Sequence, residues 1–222
     1  MQYGAQKAPG IELTTQDGAD YEYVANQGVG AGQMVMYIPP DIVLNSAAIQ
    51  AEFGQSLIGA EQVVVGIDQG TQQRLPLFRL MIKILSEYEK GQDSPFYPWL
   101  NSLPRQYYNG VSMTDACFDC LPPYAGWLAS SERQNYSNFV AAIRQGGYLP
   151  LQQETIQDGR VLKWAYNVAL TRFHEVWQPE RAKLIAPLAD MVSLFVWIVI
   201  WGLGRNISCV HFLFAICYMP LM

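Results

Sequence analysis

Apolar positions recur with two different periods along this chain, and the change between them divides it. Tyr21, Tyr23, Met34, Met36 and Ile38 fall on every second residue, which predicts short strands over residues 22–45. Gly28, Gly30 and Gly32 interrupt that pattern and Pro39-Pro40 ends it. A polar, glutamine-rich passage follows over residues 47–74, with one apolar run at Val63-Val64-Val65. From Leu75 the spacing becomes helical: Leu77, Phe78, Met81, Ile82 and Leu85 predict a helix over residues 75–90, stopped by Gly91. Ser94 to Pro104 is an aromatic–proline connector, too rich in proline for a regular element. Further helices are expected over 113–145, broken at Pro122-Pro123. A second strong helix is predicted over 160–177, with Val161, Trp164, Ala165, Val168, Ala169 and Phe173 on one face. No internal repeat is visible. Strands first, then helices, then a return to mixed character predict an α+β fold.

Composition narrows the function classes. Half of the 222 residues are hydrophobic and only 15% are charged, ample for a core. The net charge of −5, without a lysine or arginine run, argues against a nucleic-acid surface held by counterion release. Four cysteines are too few for a disulfide scaffold, and the N-terminus lacks the apolar stretch of a secretory signal. An intracellular setting is therefore expected, with cytoplasm, nucleus and plastid all open. On that reading the sequons at Asn135 and Asn206 are chance matches.

Several motifs invite chemistry and are better explained without it. Gly28-Val29-Gly30-Ala31-Gly32 leads into a strand-like run, whereas a phosphate cradle needs a helix N-terminus there. A turn between strands is expected. Cys117-Phe118-Asp119-Cys120 is a single C-x-x-C without a second pair and without a thioredoxin-like βαβ pattern around it, so neither a metal site nor a redox role is expected and buried or incidental thiols are the reading. His174 reads as a helix-end histidine favoured by the dipole. Arg172 lies on a mostly apolar face, where arginine usually has a partner. A structural salt bridge, with Asp190 or Glu175, is the plain account of it.

Three segments together resemble the SET-domain protein methyltransferases, in the branch of Rubisco large-subunit lysine methyltransferase and actin-histidine methyltransferase. The first is Val24-Ala25 with Gly28 to Pro39. The second runs from Leu75-Pro76-Leu77-Phe78 through Ser94 to Pro104. The third is Lys163 to Phe173, followed by Leu184 to Met191. The resemblance spans about residues 20–191. It implies S-adenosylmethionine as cofactor and a protein substrate methylated on a lysine, or on a histidine. By position in the motifs, Arg172 and Asp190 match residues lining the cofactor region, and Asp20 and Tyr21 occupy the place of the N-terminal cofactor turn. Gly18-Ala19-Asp20-Tyr21 departs from the glycine-rich segment usual there.

A larger departure follows Met191. The family pattern continues with an apolar residue and then Asn-His, and later an active-site tyrosine; this chain reads Val192-Ser193-Leu194. No catalytic residue is assigned for that reason. The expected organisation is residues 1–60 as the N-terminal part of a SET-like β core and 61–159 as a mainly helical insertion. Residues 160–191 return to the core, which is incomplete at the C-terminus, and 192–222 form an apolar tail outside the family. Val-Ser is what GTAAGT, a common intron start, encodes in frame, so intron read-through is one reading of the tail. A genuine membrane anchor is the other, although the uncharged run from Met191 to Gly204 has 14 residues, short of the roughly 20 that span a bilayer. The expected function is a methyltransferase impaired in this form. The alternatives are a non-catalytic protein-binding fragment and a small tail-anchored membrane protein.

Overall fold

The computed structural model describes residues 4–15, 18, 21–30, 32–67, 69–177, 181–191, 197–200 and 212–215. The chain opens with strands β1 (Gln6–Lys7), β2 (Ile11–Thr15), β3 (Tyr21–Ala25), β4 (Met36–Tyr37) and β5 (Leu44–Asn45). Helices α1 (Ser46–Phe53), α2 (Gln55–Ile67), α3 (Leu75–Glu89), α4 (Tyr97–Ser102), α5 (Asp115–Asp119), α6 (Pro123–Gln145), α7 (Gln153–Gln157) and α8 (Gly159–Arg172) follow. Strands β6 (His174–Trp177), β7 (Arg181–Ile185), β8 (Trp197–Ile200) and β9 (Phe212–Ala215) complete the described elements. The fold class is α+β.

The described chain forms two compact units. The first comprises Met1–Leu44, Gln92–Leu103 and Phe173–Met222. Its strands pair locally: β1 with β4, and β2 with β3 in an antiparallel hairpin whose register sets Thr15 opposite Tyr21 and Ile11 opposite Ala25. Antiparallel β6 and β7 belong to a three-stranded sheet of order β5-β7-β6, with His174 opposite Leu184. Ile11, Tyr23, Met36, Ile38, Trp99 and Ile185 are buried in this unit. In the tail, β8 pairs antiparallel with β9. Among the described residues no helix is long and apolar enough to cross a membrane.

The second unit, Asn45–Gly91 and Pro104–Arg172, is helical. Its centre is α3, where Leu77, Phe78, Leu80, Met81, Ile82, Ile84 and Leu85 are all fully buried. Each such side chain stabilises the fold by about 1.5–3 kcal/mol relative to exposure. The α8 face of Leu162, Ala165, Tyr166, Val168 and Ala169 packs against it. Phe139 of α6 bridges the two, edge-on to Phe78 at 5.1 Å and to Tyr166 at 5.6 Å. At the end of α6, Gly146 lies so close to α2 that a Cβ there would come within 2.6 Å of the Ala60 Cβ. Only glycine fits that approach.

One sequence expectation needs correction, and one passage left without an element acquires two. The helix predicted over 160–177 ends at Arg172, and His174–Trp177 is a strand. Phe173-His174-Glu175-Val176-Trp177 is rich in aromatic and β-branched residues, which suit a pleated surface, and pairing with β7 outweighs helical continuation. The glutamine-rich passage contains two helices. Ile49, Leu57, Ala60 and Val64 are buried at helical spacing, and Asn45 caps α1 by accepting the Ala47 N–H at 2.9 Å. Elsewhere α3 ends within one residue of its expected limit, followed by Gly91 at φ +55°. The predicted break at Pro122-Pro123 is the start of α6.

Candidate functional site

The first unit gathers an unusual polar group around Asp190. After β7 the chain turns through Pro187 and Leu188 into a short 3-10 turn, Ala189–Met191. Leu188 has φ +76°, a left-handed conformation that costs a leucine about 1–2 kcal/mol. Strain of this kind persists only where the surroundings impose it, and it concentrates at functional sites. The Asp190 N–H donates to the Ala186 carbonyl at 3.2 Å, fixing the turn.

Trp99 approaches from α4. Just before that helix the Ser94 hydroxyl accepts the Phe96 N–H at 3.0 Å. The Trp99 side chain is 3% exposed, and a buried indole requires an acceptor for its N–H. It donates to both carboxylate oxygens of Asp190, at 3.1 Å to Oδ2 and 3.3 Å to Oδ1. Tyr23 of β3, also buried, lies within the field of Asp190. Burial first, and then that negative charge, raise the Tyr23 phenol above its ordinary range. The strand β3 packs against the Asp190 turn.

The sequence-derived site residues are distributed as follows. Asp190 is at the centre of this group. Tyr21 is the first residue of β3, two positions before Tyr23 and therefore on the same face of the hairpin. Asp20 lies outside the described residues. Arg172 is the last residue of α8, in the helical unit, where a cation suits the helix C-terminus. Trp99 and Tyr23 were not singled out from sequence as site residues. Their signals were present: a tryptophan inside the aromatic–proline connector, and a tyrosine on the inward parity of the hairpin.

His174 is half-buried at the start of β6, and its Nε2 has no hydrogen-bond partner among the described residues. Burial holds its pKa below the ordinary 6.5. Cys117 and Cys120 are free and exposed, so of the two readings, buried or incidental thiols, the buried one does not hold. Among the described residues no group of three or more His, Cys, Asp or Glu is placed to hold a metal ion. The helical unit carries an open groove of about 1140 Å³ lined by Tyr88, Arg105, Tyr107, Lys163, Trp164 and Asn167. Within it the Arg105 guanidinium sits 5.2 Å from the Trp164 ring centre, and the Trp164 indole donates to the Pro104 carbonyl at 3.0 Å.

No family model matches the sequence, and no curated protein matches it. Solved structures do. The SET domain of LSMT bound to lysine and AdoHcy matches with a TM-score of 0.63 at 15% identity, covering 85% of this chain and 41% of that one. Rubisco LSMT bound to sinefungin and monomethyllysine gives 0.62 at 15% identity, over 85% and 41%. Rubisco LSMT bound to AdoMet gives 0.58 at 14% identity, over 82% and 39%. The chain thus has a SET-methyltransferase fold and spans about two fifths of the length of these structures.

Proposed function

We propose that this chain is the cofactor-binding part of an S-adenosylmethionine-dependent protein N-methyltransferase, with Asp190 at the cofactor site and methyl transfer impaired. The observation that carries the reading is the Asp190 turn, clamped by Trp99 beside Tyr23, in a chain with a SET fold. The donor set suits the cofactor's chemistry. A carboxylate offers about four acceptor positions and is the type of group that takes a ligand ammonium or hydroxyl. Tyr21 supplies an aromatic surface with a hydroxyl on the same hairpin face as Tyr23.

Bound S-adenosylmethionine supplies an electrophilic methyl group on a sulfonium. The protein's part is to hold a neutral acceptor nitrogen in line with that methyl and to exclude water. The acceptor is a side chain of a protein substrate, lysine on the strength of the similar structures' ligands, with histidine as the alternative. Asp190 and the buried pair behind it orient and do not exchange protons in this scheme. The impairment rests on Val192-Ser193-Leu194, which lack the asparagine and histidine amide and imidazole groups of the related pattern.

The test is incubation of the 222-residue chain with methyl-labelled S-adenosylmethionine and a protein extract. Label retained on the chain at equilibrium, with little transferred to extract proteins, supports the reading. Transfer at an ordinary enzymatic rate overturns the impairment. Absence of retained label overturns the cofactor assignment.

A further inference from the structure

Cys117 and Cys120 occupy one turn on the surface of the helical unit, and both thiols are exposed. The Cys120 N–H donates to the Cys117 carbonyl at 3.3 Å. Cys117 lies in the last turn of α5 and Cys120 is its C-cap, and residues three apart on a helix have their Cβ atoms about 5–6 Å apart, so a small adjustment of the frayed helix end brings the two sulfurs to bonding distance. The turn is anchored from outside. The Arg133 guanidinium of α6 lies 4.0 Å from the ring centre of Phe118, the residue between the cysteines on the Cys117 side. It also donates to Asp115 at 3.0 Å and to the Met113 carbonyl. The Thr114 hydroxyl lies 3.2 Å from the Cys117 sulfur, placed to donate to it. Thr114's hydroxyl first, then its backbone, lower the Cys117 thiol below its ordinary range.

We propose that Cys117 and Cys120 form a redox-active dithiol that exchanges with small disulfides of the glutathione class, Cys117 attacking and Cys120 resolving. The Cys117 thiolate attacks one sulfur of the small disulfide. A new S–S bond forms, the old one breaks, and one small thiolate leaves and takes up a proton. The Cys120 thiolate then attacks the Cys117 sulfur of the mixed disulfide, closes the Cys117–Cys120 bond and expels the second small thiolate. Two protein thiols are oxidised and one small disulfide is reduced to two thiols, so electrons and protons balance. The Arg133 anchor holds the turn ready for the second step, which favours the intramolecular disulfide over a lasting mixed one. The asymmetry between the two sulfurs follows from Thr114, because the thiolate is the nucleophile.

The experiment equilibrates the full chain in glutathione buffers of increasing oxidised fraction, then quenches with acid, alkylates and maps the cysteine peptides by mass. The expected result is a Cys117–Cys120 disulfide whose yield rises with the oxidised fraction. Cys120→Ser is expected to trap a glutathione adduct on Cys117, and Cys117→Ser to give several-fold less adduct on Cys120. Thr114→Val slows the first step several-fold without changing the final pairing. Two thiols still fully alkylated in excess oxidised glutathione, or pairing of either with Cys209 or Cys217, overturns the proposal. Equal adduct yields in the two serine variants overturn the assigned roles.

Discussion

Trp99 donates its indole N–H to both carboxylate oxygens of Asp190, although the two residues are separated by 91 positions in sequence. That contact fixes the 3-10 turn after β7 within the first compact unit. Trp99→Phe keeps the ring and removes the donor. A hydrogen bond to a charged group contributes about 1.5–3 kcal/mol, and the half-buried position of Asp190 puts the expected loss at the lower end. Urea unfolding of the two proteins checks it, through a lower midpoint at unchanged slope.

The alkaline limb of stability is set by buried groups that keep their protons. Burial and then Asp190 raise Tyr23; burial and then Glu132, which accepts the Tyr166 hydroxyl, raise Tyr166. For Lys83, burial pulls the pKa down, but bonds to Glu52 at 2.6 Å and Glu87 at 2.9 Å outweigh it and the net shift is upward. In each case the unfolded chain loses its proton first. Their contribution is full below the ordinary values of 10.0 and 10.5 and is lost as pH rises through the folded values. Thermal midpoints are expected to hold to about pH 9 and fall steeply above about pH 10. Tyr166→Phe makes that fall shallower by about one proton.

His174 acts in the opposite direction. Its pKa is depressed by burial, so the unfolded chain takes up a proton first as pH falls. The stability it contributes is present above the ordinary 6.5 and is lost as pH falls through the lower folded value. His174→Gln removes about one proton from the slope of stability against pH between about pH 5 and 7. Denaturant midpoints across that range measure it.

Much of this was legible in local pattern. The α3 helix and the start of α6 follow from periodicity and proline alone. The α8 helix was read five residues too long because Phe173 to Trp177 keeps apolar residues at plausible helical spacing. Pairing with β7, a non-local effect, makes that segment a strand. The α1 and α2 helices were hidden because alanine and glutamine are strong helix formers with weak hydrophobic contrast. Asp190 was found through motif resemblance. The partners Trp99 and Tyr23 come from segments far away in sequence, and no local rule brings them to one turn.

Packing at the end of α6 gives a sharp test of the helical unit. Gly146→Ala introduces a Cβ 2.6 Å from that of Ala60 and 2.8 Å from the Ala142 carbonyl oxygen. Backbone cannot yield there as a flexible side chain would. The expected cost is about 1–3 kcal/mol, read as a lower unfolding midpoint by circular dichroism.

The most direct measurement of the central claim is calorimetric titration of S-adenosylmethionine into the 222-residue chain and into Asp190→Ala. The account predicts saturable one-to-one binding to the parent chain and at least about a tenfold weaker affinity in the variant, equivalent to about 1.4 kcal/mol. Absence of binding to the folded parent chain, or equal affinity in the two proteins, would contradict it.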